Sequence, residues 1–441
     1  MTATPLLTPR EGMPVLVSSN ESMSQVIEQL SKGHGPIAID AERASGYRYS
    51  QRAYLIQIFR RDGGLHLIDP IAVSDASLWK ELTDTFNEVE WIIHASTQDL
   101  PCLVELGIKP SILFDTELGA RIAGCERVGL GPLSESLLEL VLAKEHSAVD
   151  WSLRPLKEEW LVYAALDVDV LVDLKDKVEE LLVDAKKLSW AKSDFAHILN
   201  VYTEPKNKPE RKDPWRRTSG MHRVKDRRTL AIIRDLWGVR DTYAQKVDVA
   251  PGRIFNDETL VEIAVSKPKT VAEFSKLVKR RTRHQDLPTT EWFSIYQKAL
   301  VLDDKDLPDL KLRSNTLPPP KIWKEKNPLG YARLTHARLA TMNRASELNM
   351  PVENLISPDS LRQLTWDEPP LAEGSENLLK YIQAKLASAD ARPWQIEQVA
   401  ELLLAPLEAT EPAILPTPES STEPSTEPSP DTAQESAAEK E

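Results

Sequence analysis

Four acidic residues and one tyrosine in the N-terminal part of the chain have types and spacings suited to holding divalent metal ions. Asp40 and Glu42 are two residues apart in an otherwise apolar run, so on a β-strand both carboxylates project to the same face. Asp99 follows another apolar run, and Tyr163 and Asp167 are four apart, which places them on one face of a helix. Carboxylates side by side on a buried face repel one another, and a divalent cation relieves that cost. Asp40 and Glu42 are therefore a candidate metal-binding pair, and Asp99, Tyr163 and Asp167 are further candidate site residues.

Each of these residues also has a purely structural interpretation. Asp40 and Glu42 are compatible with a strand that ends in water, and an acid such as Asp99 is favoured at a helix N-terminus by the helix dipole. Tyr163 is compatible with a core position, because the rest of its helical stripe is mostly apolar. The two interpretations differ in whether the acids converge on one point.

The segment from 14 to 203 alternates between strand and helix patterns, which predicts an α/β domain. A long helix is predicted from about Lys157 to Leu188, and it carries Tyr163 and Asp167. Short apolar runs predict five strands, which are Pro36–Glu42, Ala53–Arg60, Leu65–Asp69, Trp91–His94 and Ile112–Asp115. The expected domain is a five-stranded sheet flanked by helices.

The rest of the chain reads as two all-helical regions separated by linkers. The expected segments are a basic linker at 204–227, a helical domain at 228–305, a proline-rich linker at 306–330, a second helical domain at 331–407 and a tail at 408–441. The helical regions match at a constant offset of 101 residues, as in Ile233 with Leu334 and Leu260 with Leu361, which predicts an internal repeat. The tail is rich in Pro, Glu, Ser and Thr, and we expect it to be disordered and acidic.

Charge is unevenly distributed along the chain, whose net charge is −13. The tail has nine acids and one base, whereas Lys206–Arg228 has ten bases and three acids. A basic strip beside an acidic body is compatible with phosphate binding and also with a solvated linker. The two cysteines, Cys102 and Cys125, imply no disulfide framework. The N-terminus has no long apolar run, so we expect a cytoplasmic protein with neither signal peptide nor membrane anchor.

The order and surroundings of the five residues resemble those of the ribonuclease D family. The four acids, with the tyrosine four residues before the last one, resemble the three exonuclease motifs of the DEDD superfamily in its tyrosine-bearing branch. Further runs similar to bacterial ribonuclease D are Asp150-Trp151-Ser152-Leu153-Arg154-Pro155-Leu156, Tyr163-Ala164-Ala165-Leu166-Asp167-Val168, His94-Ala95 and Phe114-Asp115-Thr116. Both helical regions are similar to HRDC domains, of which ribonuclease D carries two.

This resemblance implies an RNase H-like exonuclease domain with a mixed sheet, and hydrolysis of RNA from its 3′ end with two divalent ions, Mg²⁺ or Mn²⁺. Asp40 would bind both ions. Glu42 and Asp167 would complete the site that holds the attacking water, and Asp99 would help hold the second ion. Tyr163 would orient that water or help to deprotonate it, and orientation is preferred because an unperturbed tyrosine hydroxyl, with a pKa of about 10, is a poor base. The implied partners are 3′ ends of single-stranded RNA, including tRNA precursors and other small stable RNAs, and we expect a monomer that binds no membrane.

Basic residues of the linker and of the first helical region are predicted to guide RNA toward the site. They are Lys206, Lys208, Arg211, Lys212, Arg216, Arg217, Lys279, Arg280, Arg281 and Arg283. Trp215 lies among them, and it is predicted either to stack on a base or to pack on its own domain. The second helical region is predicted either to contact RNA or to pack against the other domains.

Two other functions remain open. The chain is also compatible with a single-strand DNA 3′–5′ exonuclease, because HRDC domains accompany enzymes of both substrates. A catalytically silent nucleic-acid-binding protein with this fold would be expected to have lost at least one acid, whereas all four and the tyrosine are present.

Overall fold

The fold is described from a computed structural model for residues 3–143, 148–203, 212–279, 288–311 and 317–414. Within these ranges no helix combines the length and the apolar character needed to cross a membrane. The strands are β1 (Thr4–Leu6), β2 (Leu16–Val17), β3 (His34–Arg43), β4 (Ala53–Arg61), β5 (Gly64–Ile68), β6 (Glu90–Ile93), β7 (Ile112–Asp115) and β8 (Leu140–Leu142).

Helices make up most of the rest of the described chain. Those of the N-terminal domain are α1 (Asn20–Lys32), α2 (Ala76–Thr85), α3 (Leu100–Leu106), α4 (Thr116–Ala123), α5 (Leu130–Leu138), α6 (Glu158–Asp169), α7 (Leu171–Asp184) and α8 (Leu188–Thr203). Those of the first helical region are α9 (Arg227–Val247), α10 (Pro251–Ile254), α11 (Asp257–Ser266), α12 (Val271–Lys279) and α13 (Thr289–Leu300). Those of the second are α14 (Trp323–Lys326), α15 (Pro328–Glu347), α16 (Val352–Leu355), α17 (Pro358–Trp366), α18 (Ser375–Ser388), α19 (Pro393–Val399) and α20 (Leu404–Glu408).

The N-terminal domain is built on one mixed sheet of six strands in the order β2-β5-β4-β3-β6-β7. Strands β3, β4 and β5 are antiparallel neighbours, whereas β6 and β7 continue the sheet in parallel beyond β3. Each of the five predicted runs forms one of the strands β3 to β7, but the predicted count of five is wrong by one. The additional strand, β2, pairs with β5 through only two residues, too few to show an alternating pattern.

The long helix predicted from Lys157 to Leu188 is divided into α6 and α7 at Val170, and a third helix, α8, begins at Leu188. Both α6 and α7 pack against β3, so apolar residues face the sheet on either side of the break. Because the apolar pattern continues through Val170 and contains neither proline nor glycine, the pattern does not reveal where the first helix ends.

The two helical regions repeat the same elements at the same spacing. Helices α9 and α15, α10 and α16, and α11 and α17 each begin 101 residues apart. Asn256 and Ser357, the matching residues before α11 and α17, each accept a hydrogen bond from a backbone N–H of the first turn, as expected of N-cap residues. The spacing of the helices therefore agrees with the repeat seen in the sequence.

The second helical region packs directly on the N-terminal domain, and the two share one hydrophobic core. The Trp190 and Trp394 rings are stacked with their centroids 4.8 Å apart. The buried Asp194 carboxylate accepts hydrogen bonds from Arg392 Nε at 2.7 Å and from Trp394 Nε1 at 3.1 Å. Of the two predicted roles, packing against another domain is therefore observed.

The first helical region has its own core and contacts the loop that joins β3 to β4. The Ser50 N–H donates to the Asp248 carboxylate at 2.8 Å, and the Ala250 N–H donates to the Tyr47 carbonyl at 3.0 Å. Trp215 is 5% exposed and belongs to this core. Packing on its own domain is therefore the interpretation that holds for Trp215, since a buried ring offers no face for a base.

Removing the Asp194 carboxylate is expected to weaken the contact between the two domains. Asp194→Ala leaves two buried or partly buried donors without a partner, which typically costs about 1–3 kcal/mol of the free energy of unfolding. Asp194→Asn keeps one acceptor oxygen and should lose less. Urea unfolding followed by tryptophan fluorescence measures both, because Trp190 and Trp394 lie at this contact. Equal midpoints for the alanine variant and the wild type would contradict the prediction.

Candidate active site

Strand β3, in the interior of the sheet, places two carboxylates on the same face. It lies between β4 and β6, and Asp40 and Glu42 stand opposite Gln57 and Leu55 of β4. Asp40 is half-buried, and Glu42 is 8% exposed. The pairing register shifts directly after Glu42, so the acids occupy the last regular stretch of the strand. Because Glu42 is buried and Asp40 is half-buried, this stretch of the strand is nevertheless not a sheet end open to water.

Asp99 stands at the N-cap position of α3, yet its side chain makes no capping hydrogen bond. In its protonated form, which its raised pKa favours, it donates a hydrogen bond to Asp40 instead, and its Oδ1 lies 3.5 Å from the Arg43 guanidinium. The preceding loop is fixed by Ser96, whose N–H and hydroxyl both donate to the Asp115 carboxylate at 2.8 and 2.6 Å. The helix-dipole interpretation of Asp99 therefore does not account for its orientation.

Helix α6 brings the last two residues to the same point. It packs across β3 and β4, and the Tyr163 hydroxyl is hydrogen-bonded to the Asp167 carboxylate. Carboxylate oxygens of Asp40, Glu42 and Asp167 all lie within 4.8 Å of one another. All five residues singled out in the sequence thus converge, with Asp99 on the side of Asp40 and Tyr163 on the side of Asp167.

Burial dominates the electrostatics of this cluster. It raises the pKa of the Asp40 carboxyl and raises the pKa values of Glu42 and Asp99 well above their usual range, and repulsion between the acids adds to the effect in Glu42 and Asp99. Burial followed by the nearby acids also raises the pKa of the Tyr163 hydroxyl far above its ordinary value. The tyrosine hydroxyl is therefore a protonated hydrogen-bond donor. A divalent cation bound among the acids would stabilise their deprotonated forms.

These shifts predict a pH-dependent stabilisation by divalent ions. Because the folded pKa of Glu42 and Asp99 exceeds the unfolded value, the metal-free fold binds protons that the unfolded chain releases, and its free energy of unfolding falls as pH rises above about 4. Mg²⁺ or Mn²⁺ binds the deprotonated carboxylates, so the gain should be large near pH 8 and small near pH 5. At an ion concentration about 100 times the Kd, the gain in the free energy of unfolding amounts to about 2.7 kcal/mol.

Thermal unfolding with and without each ion, at both pH values, measures this stabilisation. Glu42→Gln should keep the fold and lose most of the gain, since it removes one ligand charge from the cluster. A metal-induced rise in Tm that is equal at both pH values would contradict the prediction.

The acids line a pocket of about 1000 Å³. Its other lining residues include Arg43, His94, Arg127 and the start of α5 at 129–132. The His94 Nδ1 lies 2.9 Å from Thr116 Oγ1, and burial lowers the pKa of the His94 ring. Arg43 could have been suspected from its position beside Glu42 in the sequence. Nothing in the sequence marks Arg127, which comes to the pocket only through the fold.

The residues predicted to guide RNA are only partly described. Lys206, Lys208, Arg211, Arg280, Arg281 and Arg283 lie outside the described residues, as does the side chain of Lys279. Lys212 and Arg217 are exposed. Arg216 donates to Asp213 at 3.1 Å and to the Asp309 carbonyl at 2.8 Å, and it lies over the Trp215 ring. An RNA-binding role for this set stays a prediction.

Models of three protein families match successive parts of the chain. A 3′-5′ exonuclease family matches residues 14–183, the HRDC domain matches residues 229–288, and a 3′ to 5′ exonuclease C-terminal domain matches residues 316–407. The first of these matches contains all five residues of the candidate site, and the other two fall on the helical regions.

Curated relatives are named ribonuclease D. The protein of Gluconacetobacter diazotrophicus is 33% identical over 268 residues, which are 60% of this chain and 66% of that protein. The protein of Jannaschia sp. is 32% identical over 250 residues, which are 54% of this chain and 62% of that protein. The matched parts thus span slightly less than two thirds of these relatives.

Solved structures extend the likeness over most of the chain. A protein from Bifidobacterium adolescentis is 35% identical with a TM-score of 0.82, covering 92% of this chain and 100% of that one. Escherichia coli RNase D, described as an exoribonuclease involved in structured RNA processing, has a TM-score of 0.61 at 22% identity, with coverage of 89% and 98%; this second likeness is one of fold. With the acids and the tyrosine converging in an RNase H-like domain followed by an HRDC domain, the chain belongs to the ribonuclease D family.

Proposed function

We propose that this protein is a metal-dependent 3′→5′ exoribonuclease. The observation that carries the proposal is the convergence of carboxylate oxygens from Asp40, Glu42 and Asp167 within 4.8 Å, with Asp99 hydrogen-bonded to Asp40. Buried acids at this separation repel one another, and the cluster lies in a pocket open to a ligand. Relatives of about one third identity carry the name ribonuclease D, which supports RNA as the substrate.

The donor set fits hard divalent cations, because it offers carboxylate oxygens alone. In the proposed arrangement the four carboxylates would hold two ions. Asp40 would contribute to both positions, Glu42 and Asp167 to the first, and Asp99 to the second. Such ions would supply activation of the attacking water and neutralisation of charge on the phosphate that is cut.

Tyr163 is proposed to position the attacking water. Its hydroxyl is hydrogen-bonded to Asp167, and its raised pKa keeps the proton on the phenol, so the residue donates a hydrogen bond and does not act as a base. Arg43 lies beside Asp99 and lowers the repulsion within the acid cluster. The chain thereby holds the four carboxylates and the Tyr163 hydroxyl together in the pocket before substrate enters.

The finer parts of the proposal rest on likeness to the family. We propose that the substrates are 3′ ends of single-stranded RNA, with tRNA precursors and other small stable RNAs as physiological targets. The second helical region is proposed to be HRDC-like, which the common spacing of its first three helices with α9 to α11 supports. A monomeric state stays a prediction, as does a cytoplasmic location, for which the free thiols of Cys102 and Cys125 are compatible evidence.

The decisive experiment follows the degradation of an unstructured RNA labelled at its 5′ end, on a gel, with Mg²⁺, with Mn²⁺ and with chelator. We expect a metal-dependent ladder that shortens one nucleotide at a time from the 3′ end. A matched DNA oligomer tests the alternative substrate, and faster degradation of DNA would replace RNA in the proposal. RNA that is bound yet intact with both ions would instead favour the catalytically silent binding protein.

A further inference from the structure

Two arginines line the pocket that holds the acids, and they differ in their partners. One terminal nitrogen of Arg43 lies 3.5 Å from the Asp99 carboxylate. Arg127 is exposed and, among the residues that the structure describes, has neither a hydrogen bond nor a salt bridge. An exposed cation that pairs with none of the described residues, in a pocket with four carboxylates, is available to a ligand of opposite charge.

Contacts on both sides of Arg127 hold its backbone, whereas its side chain is exposed. Helix α4 ends at Gly124 in the left-handed region, and the Cys125 N–H donates back to the Ala120 carbonyl at 3.0 Å. Asn349 of the second helical region lies so close to Gly124 that an added Cβ would come within 2.4 Å of it. On the other side of Arg127, Val128 is buried in the core. The guanidinium therefore projects from a fixed point at the pocket wall.

The wall next to Arg127 leaves room for a nucleic-acid backbone. The pocket is lined there by Gly129, Leu130, Gly131 and Pro132, at the start of α5. A Cβ added at Gly131 would meet nothing within 4 Å. Two of these four residues are glycines, so the segment presents little side-chain bulk to the pocket beside the Arg127 guanidinium.

The charge balance of the pocket indicates a role for Arg127 in binding phosphate. In the proposed enzyme two divalent ions would offset the four carboxylates, so the positive charges left for the phosphates that are not cut are those of Arg43, beside Asp99, and of Arg127. Phosphate contacts by Arg supply affinity and register to a bound nucleic acid without reading its sequence.

We propose that Arg127 binds a phosphate of the RNA next to the one that is cut, and that it acts as a positioning residue. This inference rests on the proposed function, because it takes RNA as the ligand of the pocket. It assigns to the 124–129 loop a substrate contact that the motif residues do not supply.

The test compares Arg127→Ala and Arg127→Lys with Lys192→Ala, which removes one exposed charge from α8 outside the pocket lining. Because Arg127 and Lys192 are both exposed, all three variants should fold, and a measurement of Tm checks this. For the alanine variant we expect KM for single-stranded RNA to rise about 10- to 100-fold with kcat nearly constant, the loss of one charge-assisted contact. The salt dependence of log KM should lose about 0.7 in slope, with partial recovery in Arg127→Lys.

Binding of the same RNA is measured in parallel by fluorescence anisotropy, with Asp40→Asn added to each protein to prevent turnover. A KM, an affinity and a salt slope equal to those of Lys192→Ala would overturn the role of Arg127, as would a fall in kcat at constant KM. Wild-type protein that binds this RNA without degrading it would overturn the proposed function alone. In that case the role of Arg127 would still be decided by the anisotropy comparison.

Discussion

Replacing Asp40 by asparagine is expected to abolish nearly all RNA degradation while leaving the fold intact. In the proposed mechanism Asp40 is the one carboxylate shared by both ions, so the variant weakens both positions together. Losing several kcal/mol of charge stabilisation in the transition state lowers the rate by a factor of at least about 10³. Single-turnover degradation of the labelled RNA at saturating protein measures the effect, because it separates the chemical step from RNA binding.

Measurements of Tm distinguish a loss of catalysis in Asp40→Asn from a loss of the fold. Burial raises the pKa of Asp40, and the charge on Asp40 in turn raises the pKa values of Glu42 and Asp99. Removing that charge should therefore leave the Tm of the metal-free protein equal or higher near pH 8, and it should reduce the further rise that Mg²⁺ causes. A variant that degrades RNA at the wild-type rate would remove the metal mechanism, and one with a much lower metal-free Tm would show that Asp40 has a structural role.

The parts of the site that the sequence predicted are those set by local periodicity. Asp40 and Glu42 face the same way because strand side chains alternate, and Tyr163 and Asp167 meet because a helix turns once in about 3.6 residues. Each pattern needs only a few neighbouring residues. The division of the predicted helix at Val170 did not affect this result, because both residues lie within α6.

The orientation of Asp99, which the sequence predicted as a site residue only through its family resemblance, and the parts that were missed depend on contacts between distant segments. Asp99 turns away from the helix it precedes because Ser96 is bonded to Asp115 on the next strand and because Asp40 is near. Arg127 reaches the pocket because α4 and α5 pack beside β7 and β8, and β2 forms only by pairing with β5. Such relations join residues far apart in the chain, and one sequence carries no local sign of them.

Replacing Tyr163 by phenylalanine is expected to lower kcat by about 10²–10³-fold, a usual effect of removing one well-placed hydrogen-bond donor from an active site. The ring and its packing remain, and only the hydroxyl that is bonded to Asp167 is lost. The four carboxylates are unchanged, so the rise in Tm with Mg²⁺ should be retained. Single-turnover rates and metal-dependent unfolding, measured on the same protein, test both halves of the prediction.

The pH dependence of the rate distinguishes a positioned donor from a base. Burial is the first cause of the raised pKa of Tyr163, and bound ions would offset only the contribution of the acids. The phenol should therefore stay protonated throughout the working range, and the wild type and the variant should have pH–rate profiles of the same shape at different heights. A base at this position would give the wild type an ionisation that the variant lacks. Tyr296→Phe is the matched control, since Tyr296 lies in the first helical region and its buried hydroxyl has no hydrogen-bond partner among the described residues. Rates for Tyr163→Phe as high as those of the control would mean that Tyr163 only fills the core.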